Sequence, residues 1–238
     1  MTEIDIIKPT IKNLEEVVAV ENAAWPNIGD CMVADISKFA LRLKLGLMWL
    51  LYCDGHPAGI ISYQYPSFMD ASAGEKILHE YKQREGFIPW KKLTQEYHLP
   101  QNWYEATHDG KIITEEKSTH NPHGDCVFLI SVGVDASLKG KGLVNHLIAH
   151  TLQQAKASGK TIALGYGRLP QLHQSYQTAT IQQAEAHLQQ QKPGTDLPAD
   201  FGARFHVVNG AKAISVIPHA MDDPESLDYG FLALYGLK

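Results

Sequence analysis

The chain has 238 residues, of which 44% are hydrophobic and 20% charged, and carries a formal net charge of −5. That length suits one α/β domain, and the near-average composition excludes a wholly disordered chain or one that needs disulfide or metal staples. The acidic balance, without a basic stripe, excludes a general nucleic-acid binder. Cys31, Cys53 and Cys126 are widely spaced with no Cys-x-x-Cys pair, which fits a reducing cytoplasm and gives no zinc–cysteine site. The start, Met1-Thr2-Glu3-Ile4-Asp5, lacks the basic-then-apolar pattern of a signal peptide. The apolar run from Gly46 to Cys53 is too short to span a bilayer, so no membrane partner is expected.

In chain order, Ile4 to Ile7 predicts a first strand, ended by Pro9. Thr10 or Asn13 then caps a helix with Leu14, Val17, Val18 and Trp25 on one face, broken by Pro26 and Gly29. A second helix spans Asp35 to Lys44, with Ile36, Phe39, Ala40 and Leu43 on its apolar side. Leu47 to Tyr52 and Gly59 to Tyr65 are two buried strands, and the turn formers in Cys53-Asp54-Gly55-His56-Pro57 between them mark a hairpin. Residues 66–122 read as an elaborated insertion between the third and fourth strands, with a helix around Gly74 to Arg84. Asp125 to Val134 is a strand covered on both faces. The glycine turn 139–142 leads into the clearest helix, with Leu143, Val144, Leu147, Ile148, Leu152 and Ala155 at 3.6-residue spacing. Thr161 to Gly165 is a strand, Gln174 to Gln191 a solvated helix within an insertion at 170–198, and Ala199 to Asn209 a short helix. Ala211 to Ile217 and Tyr229 to Leu234 are the last two strands.

A Gly-x-Gly between a buried strand and a helix aims free backbone N–H groups at an anion, and the helix dipole favours negative charge. The same two glycines also serve many turns for conformational reasons alone. A Walker A loop fails because Leu143 follows Gly142, and a dinucleotide fingerprint fails for want of a third glycine and a following acidic residue.

The segment Val134-Asp135-Ala136-Ser137-Leu138-Lys139-Gly140-Lys141-Gly142-Leu143 resembles motif A of the GNAT-type N-acyltransferases, Arg/Gln-x-x-Gly-x-Gly/Ala. Lys139 stands for the Arg/Gln, Gly142 for the central glycine, and Val144 replaces the last small residue. The resemblance implies a single GNAT-like domain over 1–238, an α/β fold whose central mixed, mostly antiparallel sheet of about seven strands has flanking helices. It implies acetyl-CoA as co-substrate, held by Val132, Gly133, Val134, Lys139, Gly140, Lys141, Gly142, Leu143 and Val144, with backbone N–H groups of 132–134 facing the oxyanion. A narrower resemblance over 103–238 is to the GNAT module fused to nitrilase-type hydrolases. It is carried by Trp103-Tyr104-Glu105-Ala106-Thr107, Asn121-Pro122-His123-Gly124-Asp125, Gly165-Tyr166-Gly167-Arg168-Leu169-Pro170 and Asp223-Pro224-Glu225-Ser226.

His206, four residues before Gly210, stands where family members place a tyrosine that protonates the departing thiolate, and an unperturbed histidine titrates near about 6.5. The GNAT-like loading domains of polyketide synthases are also similar in this segment. Of their four functional residues, Trp25 and His206 match, whereas Gly167 stands for a threonine and Met221 for an arginine. Tyr166 is a candidate to line the acyl slot. Arg168 either binds an anionic substrate group or ties down the loop before Pro170. No carboxylate lies within 127–134, so Glu105, Asp125 and Asp228 are the candidate bases, with Glu105 set beside Arg168 in substrate binding. His146 and His150 are spaced i,i+4 without a third ligand, so no metal is expected. The reading is acetyl transfer from acetyl-CoA to the amine of a small molecule. The alternatives are S-acyl transfer to a carrier-protein thiol and, given Val144 and the missing strand carboxylate, a non-catalytic acyl-CoA-binding module. The 170–198 segment is open to three uses: a homodimer contact, a lid or a solvated arm.

Overall fold

The computed structural model describes residues 2–25 and 35–237. Pro26, Gly29 and Cys31, noted in the sequence, lie outside the described residues. Seven strands form one mostly antiparallel sheet in the order β1-β2-β3-β4-β5-β7-β6, with helices flanking it, as the motif resemblance implies. They are β1 (Ile4–Ile7), β2 (Met48–Cys53), β3 (His56–Gln64), β4 (Cys126–Val134), β5 (Ile162–Arg168), β6 (Lys212–Ile217) and β7 (Gly230–Gly236). The chain divides into two compact units, Met1–Gln64 with Leu129–Ser158, and Tyr65–Phe128 with Gly159–Lys238.

In the first unit, β1 pairs antiparallel with β2 from Ile4↔Cys53 to Ile7↔Leu50, and β2 pairs with β3. Asp54 and Gly55, at φ 53° and 80°, make the two-residue turn whose left-handed backbone matches strand twist. Helix α1 (Leu14–Ala24) buries Val17, Val20 and Ala24, and α2 (Ile36–Lys44) buries Phe39 and Leu43. These close a core with Met48, Leu50 and Ile60. Ile36, expected on the buried side of α2, is 60% exposed. The buried stripe runs instead through Phe39, Arg42 and Leu43. Arg42 is fully enclosed and donates to Ser62 Oγ at 3.3 Å. Burial lowers its pKa to about 10, against the charges of Glu21 and Asp35. Helix α6 (Leu143–Ala157) lies on β3 so closely that a Cβ at Gly59 would sit 3.0 Å from Leu147 Cδ1.

In the second unit, β7 pairs antiparallel with both β5 and β6. Strand β5 runs three residues beyond the expected Gly165, because Tyr166, Gly167 and Arg168 pair with Leu232, Phe231 and Gly230. The 66–122 stretch lacks one long period because it holds three short helices, α3 (Ala71–Lys82), α4 (Trp90–Glu96) and α5 (Trp103–Thr107), each burying a few residues. Helix α3, capped by Asp70, starts at Ala71, three residues before the expected Gly74, and a Cβ at Gly74 would meet Ile162 Cγ2 at 2.8 Å. Helix α7 (Ile181–Gln189) begins later than expected, where Thr180 and Gln183 form a capping box. Helix α8 (Phe201–Val208) is capped by Asp200 and carries His206.

Candidate active site

The first unit holds the anion-binding turn. Asp135 N–H donates to the Ala58 carbonyl at 2.9 Å, and Asp135 Oδ1 accepts from Ser137 N at 2.8 Å, which fixes the chain as it leaves β4. Gly140 and Gly142 then adopt φ 89° and 74°, a region that strains any side chain. Gly142 is the N-cap of the 15-residue α6. A Cβ at Gly140 would meet nothing within 4 Å, and Lys139, Lys141 and both glycines are exposed. The exposed turn thus leads into a helix N-terminus with two flanking cations, a setting that favours an anion. These residues fit a pyrophosphate-bearing ligand. Leu143 is buried in the core, while Val144 is half-buried.

Above the same strand sits Trp25. Gly133 is buried, and a Cβ there would lie 2.9 Å from Ala24 Cβ, 3.1 Å from Trp25 Nε1 and 3.6 Å from Glu21 Oε2. The glycine thus admits the end of α1 against β4, and Trp25 is brought to that strand. Val132 is half-buried and Val134 buried beside it. Glu21, 3% exposed, is a carboxylate that reading the strand alone missed. Its signal was a charged residue inside the buried stripe Val17, Val20, Glu21, Ala24.

The second unit holds His206, whose protonation is corrected. It is 6% exposed, and burial lowers its pKa to about 3, so the ring is a neutral imidazole at neutral pH and not the imidazolium that a pKa near 6.5 would allow. His206 Nδ1 lies 2.6 Å from Tyr235 Oη. Burial raises the Tyr235 pKa, so the phenol keeps its proton in this hydrogen bond with the imidazole. Nε2 faces Gly167: a Cβ there would be 3.1 Å from it and 2.4 Å from Phe231 Cε1. The glycine found where loading domains carry a threonine therefore has a steric cause. Met221, at their arginine position, is 3% exposed, so an apolar side chain fills that place. Tyr235 had no sequence signal, since it ends an apolar strand.

Other candidates have structural duties. Tyr166 is buried, donates to the Pro100 carbonyl at 2.8 Å and packs edge-on against Trp90 and Phe128. Desolvation, then the charge of Glu105, raises its pKa, and it acts as a packing residue. Arg168 makes contacts that suit the loop-anchoring reading. Its Nε donates to Asp223 Oδ2 at 2.7 Å, and its Nη2 to Asp223 Oδ1 at 2.8 Å and Glu225 Oε2 at 2.9 Å. Glu105 Oε2 accepts from Gln101 N at 2.9 Å, which holds the turn into α5. Asp125 Oδ1 accepts from Ala71 N, and Asp228 Oδ1 from Asp223 N. His150 packs edge-on against Trp49, and no group of three or more His, Cys, Asp and Glu is set for a metal among the described residues. No described helix is long and apolar enough to cross a membrane.

No protein-family model matches the chain. The crystal structure of the loading GNATL domain of CurA from Lyngbya majuscula is similar at TM-score 0.67 and 19% identity, over 99% of this chain and 98% of that one. The chain has the GNAT fold. The GNAT-like decarboxylase GphF, solved with isobutyryl-CoA, is similar at TM-score 0.63 and 17% identity, over 99% of this chain and 100% of that one. A curated relative from Bacillus subtilis (strain 168), the uncharacterized N-acetyltransferase YkwB, is 26% identical over 135 residues, 55% of this chain and 53% of that protein. The chain thus spans about half the length of the curated relative it matches.

Proposed function

We propose that this GNAT-fold chain is an acyl-CoA-dependent acyltransferase that transfers acetyl from acetyl-CoA to the amine of a small molecule. The observation that carries the reading is the exposed turn of Lys139, Gly140, Lys141 and Gly142 at the N-terminus of α6, following the strand that Trp25 covers at Gly133. Acetyl-CoA would supply a thioester-activated acyl group. The turn residues hold its phosphates, and N–H groups of 132–134 orient and polarise the acyl carbonyl. His206 serves as a neutral hydrogen-bonding imidazole, oriented by Tyr235. Glu21 joins the site as the buried carboxylate beside β4. In this reading the chain works in the cytoplasm, without a metal.

Thermal unfolding with acetyl-CoA, CoA, malonyl-CoA, ATP and NAD in parallel tests it. A ligand at about 100 times its Kd stabilises by about 2.7 kcal/mol, or roughly 5–10 °C for a chain of this size. The expected result is a shift with acetyl-CoA and CoA, absent with NAD and abolished in Gly142→Val. No shift with any CoA species sinks the proposal.

A second reading, S-acyl transfer to a carrier-protein thiol, is favoured by Trp25 on the strand and by the fold likeness to a loading domain. A mass shift on a purified acyl carrier protein offered with acetyl-CoA would select it. Its decarboxylating form is disfavoured, because Met221 supplies no cation for a malonyl carboxylate.

A further inference from the structure

The first unit also carries an apolar groove on its surface. It is a space of 550 Å³ between the short 3-10 helix Ile11–Asn13 and α2, lined by Thr10, Ile11, Ala40, Leu41, Leu43 and Lys44. Helical spacing extends its wall, because Ile36 lies one turn before Ala40 on α2. Ile11 is 57% exposed and Ile36 60%. Apolar side chains gathered round a groove mark a binding surface, whereas scattered ones do not. Charge is the second feature. The chain as a whole carries −5, yet residues 8–14 and 36–45, which build the groove, hold five cations (Lys8, Lys12, Lys38, Arg42 and Lys44) and no acid. Arg42 is buried and Lys8 lies over the Trp49 ring. Lys44 lines the groove and Lys12 adjoins Ile11, and both are exposed. Among the described residues neither Lys12 nor Lys44 enters an ion pair, whereas Lys92 is held by Glu80 and Glu96. The acids nearest in sequence are mostly committed. Asp35 Oδ1 accepts from Lys38 N at 2.9 Å and from Ser37 Oγ at 2.6 Å, and Glu16 Oε2 from Asn13 Nδ2 at 2.9 Å and Tyr52 Oη at 2.8 Å. Glu15 is exposed, one carboxylate against the two lysines.

We propose that this groove docks an acidic amphipathic helix of a partner protein. The helix sets apolar anchors spaced i, i+4 and i+7 into the groove and places Asp or Glu beside Lys12 and Lys44. Those anchors span about 10 Å, within the roughly 13 Å length of the nine-residue α2. Shape favours a helix over a membrane, since a bilayer is entered by apolar side chains that protrude and a concave strip takes in those of an inserted helix. An anionic bilayer would also face the net charge of −5. A second copy meeting this face through its own would bring lysines against lysines. The inference goes beyond the acyl transfer proposed above and does not require it.

The test pans a phage-displayed library of random peptides, each about four helical turns long, on the full chain. Enriched peptides are expected to carry Asp or Glu between apolar residues at i, i+4 and i+7. Synthesised with a fluorophore and followed by anisotropy, they are expected to bind about tenfold more weakly to the charge-reversed Lys12→Glu/Lys44→Glu variant and to Ile11→Ser/Ile36→Ser, and to weaken as salt rises. All four side chains are exposed, and urea midpoints check that both variants stay folded. No enrichment, enriched peptides without acidic residues, or equal binding to the charge-reversed variant would overturn the proposal. So would a dimer of the chain that dissociates in Ile11→Ser/Ile36→Ser, which gives the face to a second copy. Sedimentation with phosphatidylserine vesicles that is lost in the charge-reversed variant would give it to a membrane and overturn the proposal too. None of these results bears on acetyl-CoA binding at the 139–142 turn, so the two proposals fail separately.

Discussion

Replacing Arg168 by methionine keeps the stem of the side chain and removes its fork. Asp223, 1% exposed, then loses two charge-assisted hydrogen bonds of 2.7 and 2.8 Å. Breaking a buried pair by removing one partner costs about 3–5 kcal/mol. The lower end applies, because Asp223 keeps the Ser226 hydroxyl and the Glu225 N–H. The lost contact to Glu225, whose side chain is 55% exposed, adds little. The expected loss is about 3 kcal/mol, which lowers Tm by roughly 6–12 °C in a chain of this length. Urea unfolding measures it, and a double-mutant cycle with Asp223→Asn isolates the pair. The pH dependence has a definite sign. Burial pushes the Asp223 carboxyl up, but the hydrogen bond and charge of Arg168 outweigh it and leave the pKa below its usual value. Its contribution is therefore present above about pH 4 and is lost as pH falls further, through the lowered pKa. A loss under about 1 kcal/mol in Arg168→Met, with KM raised for an acceptor, would refute the anchoring argument and return Arg168 to substrate binding.

Two other outcomes follow from the second unit. His206 has a folded-state pKa lowered to about 3, so its contribution to stability is complete above the unfolded value of about 6.5 and declines as pH falls toward that lowered value. Urea midpoints measured from pH 7 to pH 4 should fall less steeply in His206→Gln than in the unsubstituted chain; parallel slopes would mean the ring is protonated in the fold. Gly167→Thr, which restores the loading-domain residue, should destabilise by at least about 1–3 kcal/mol through overpacking, because its Cβ would lie 2.4 Å from Phe231 Cε1. Unchanged urea stability would show that Phe231 can turn aside.

The β4–turn–α6 segment was legible because three strong local signals adjoin: an apolar run, glycines, then a 3.6-residue period. The Asp54-Gly55 hairpin was legible for the same reason. What the sequence hid are pairings between distant residues. The burial of Arg42 carries no periodic signal, and among its partners Glu21 and Ser62 lie about 20 residues away in sequence. Period alone places Ile36 on the apolar side, since it prefers an isoleucine to an arginine, yet Arg42 is buried and Ile36 is exposed. The hydrogen-bond partner of His206 is Tyr235, 29 residues later, and the ion-pair partner of Arg168 is Asp223, 55 residues later. No spacing rule connects such residues. Irregular packing in 66–122 was equally hidden, because Ile77, Ile88, Leu93 and Ile112 are buried from separate short elements.

Neither compact unit is continuous in sequence: the chain passes between them after Gln64, Phe128 and Ser158. This orders events on the ribosome. The first unit cannot close until Ser158 has emerged, so the hairpin and the first two helices wait while 65–128 hangs as a loop. The entropy of closing so long a loop grows only slowly with its length. The exposed half-sheet is nevertheless open to other chains for the whole interval. Slow translation just beyond Ser158 would give the first unit time to form before the last strands arrive.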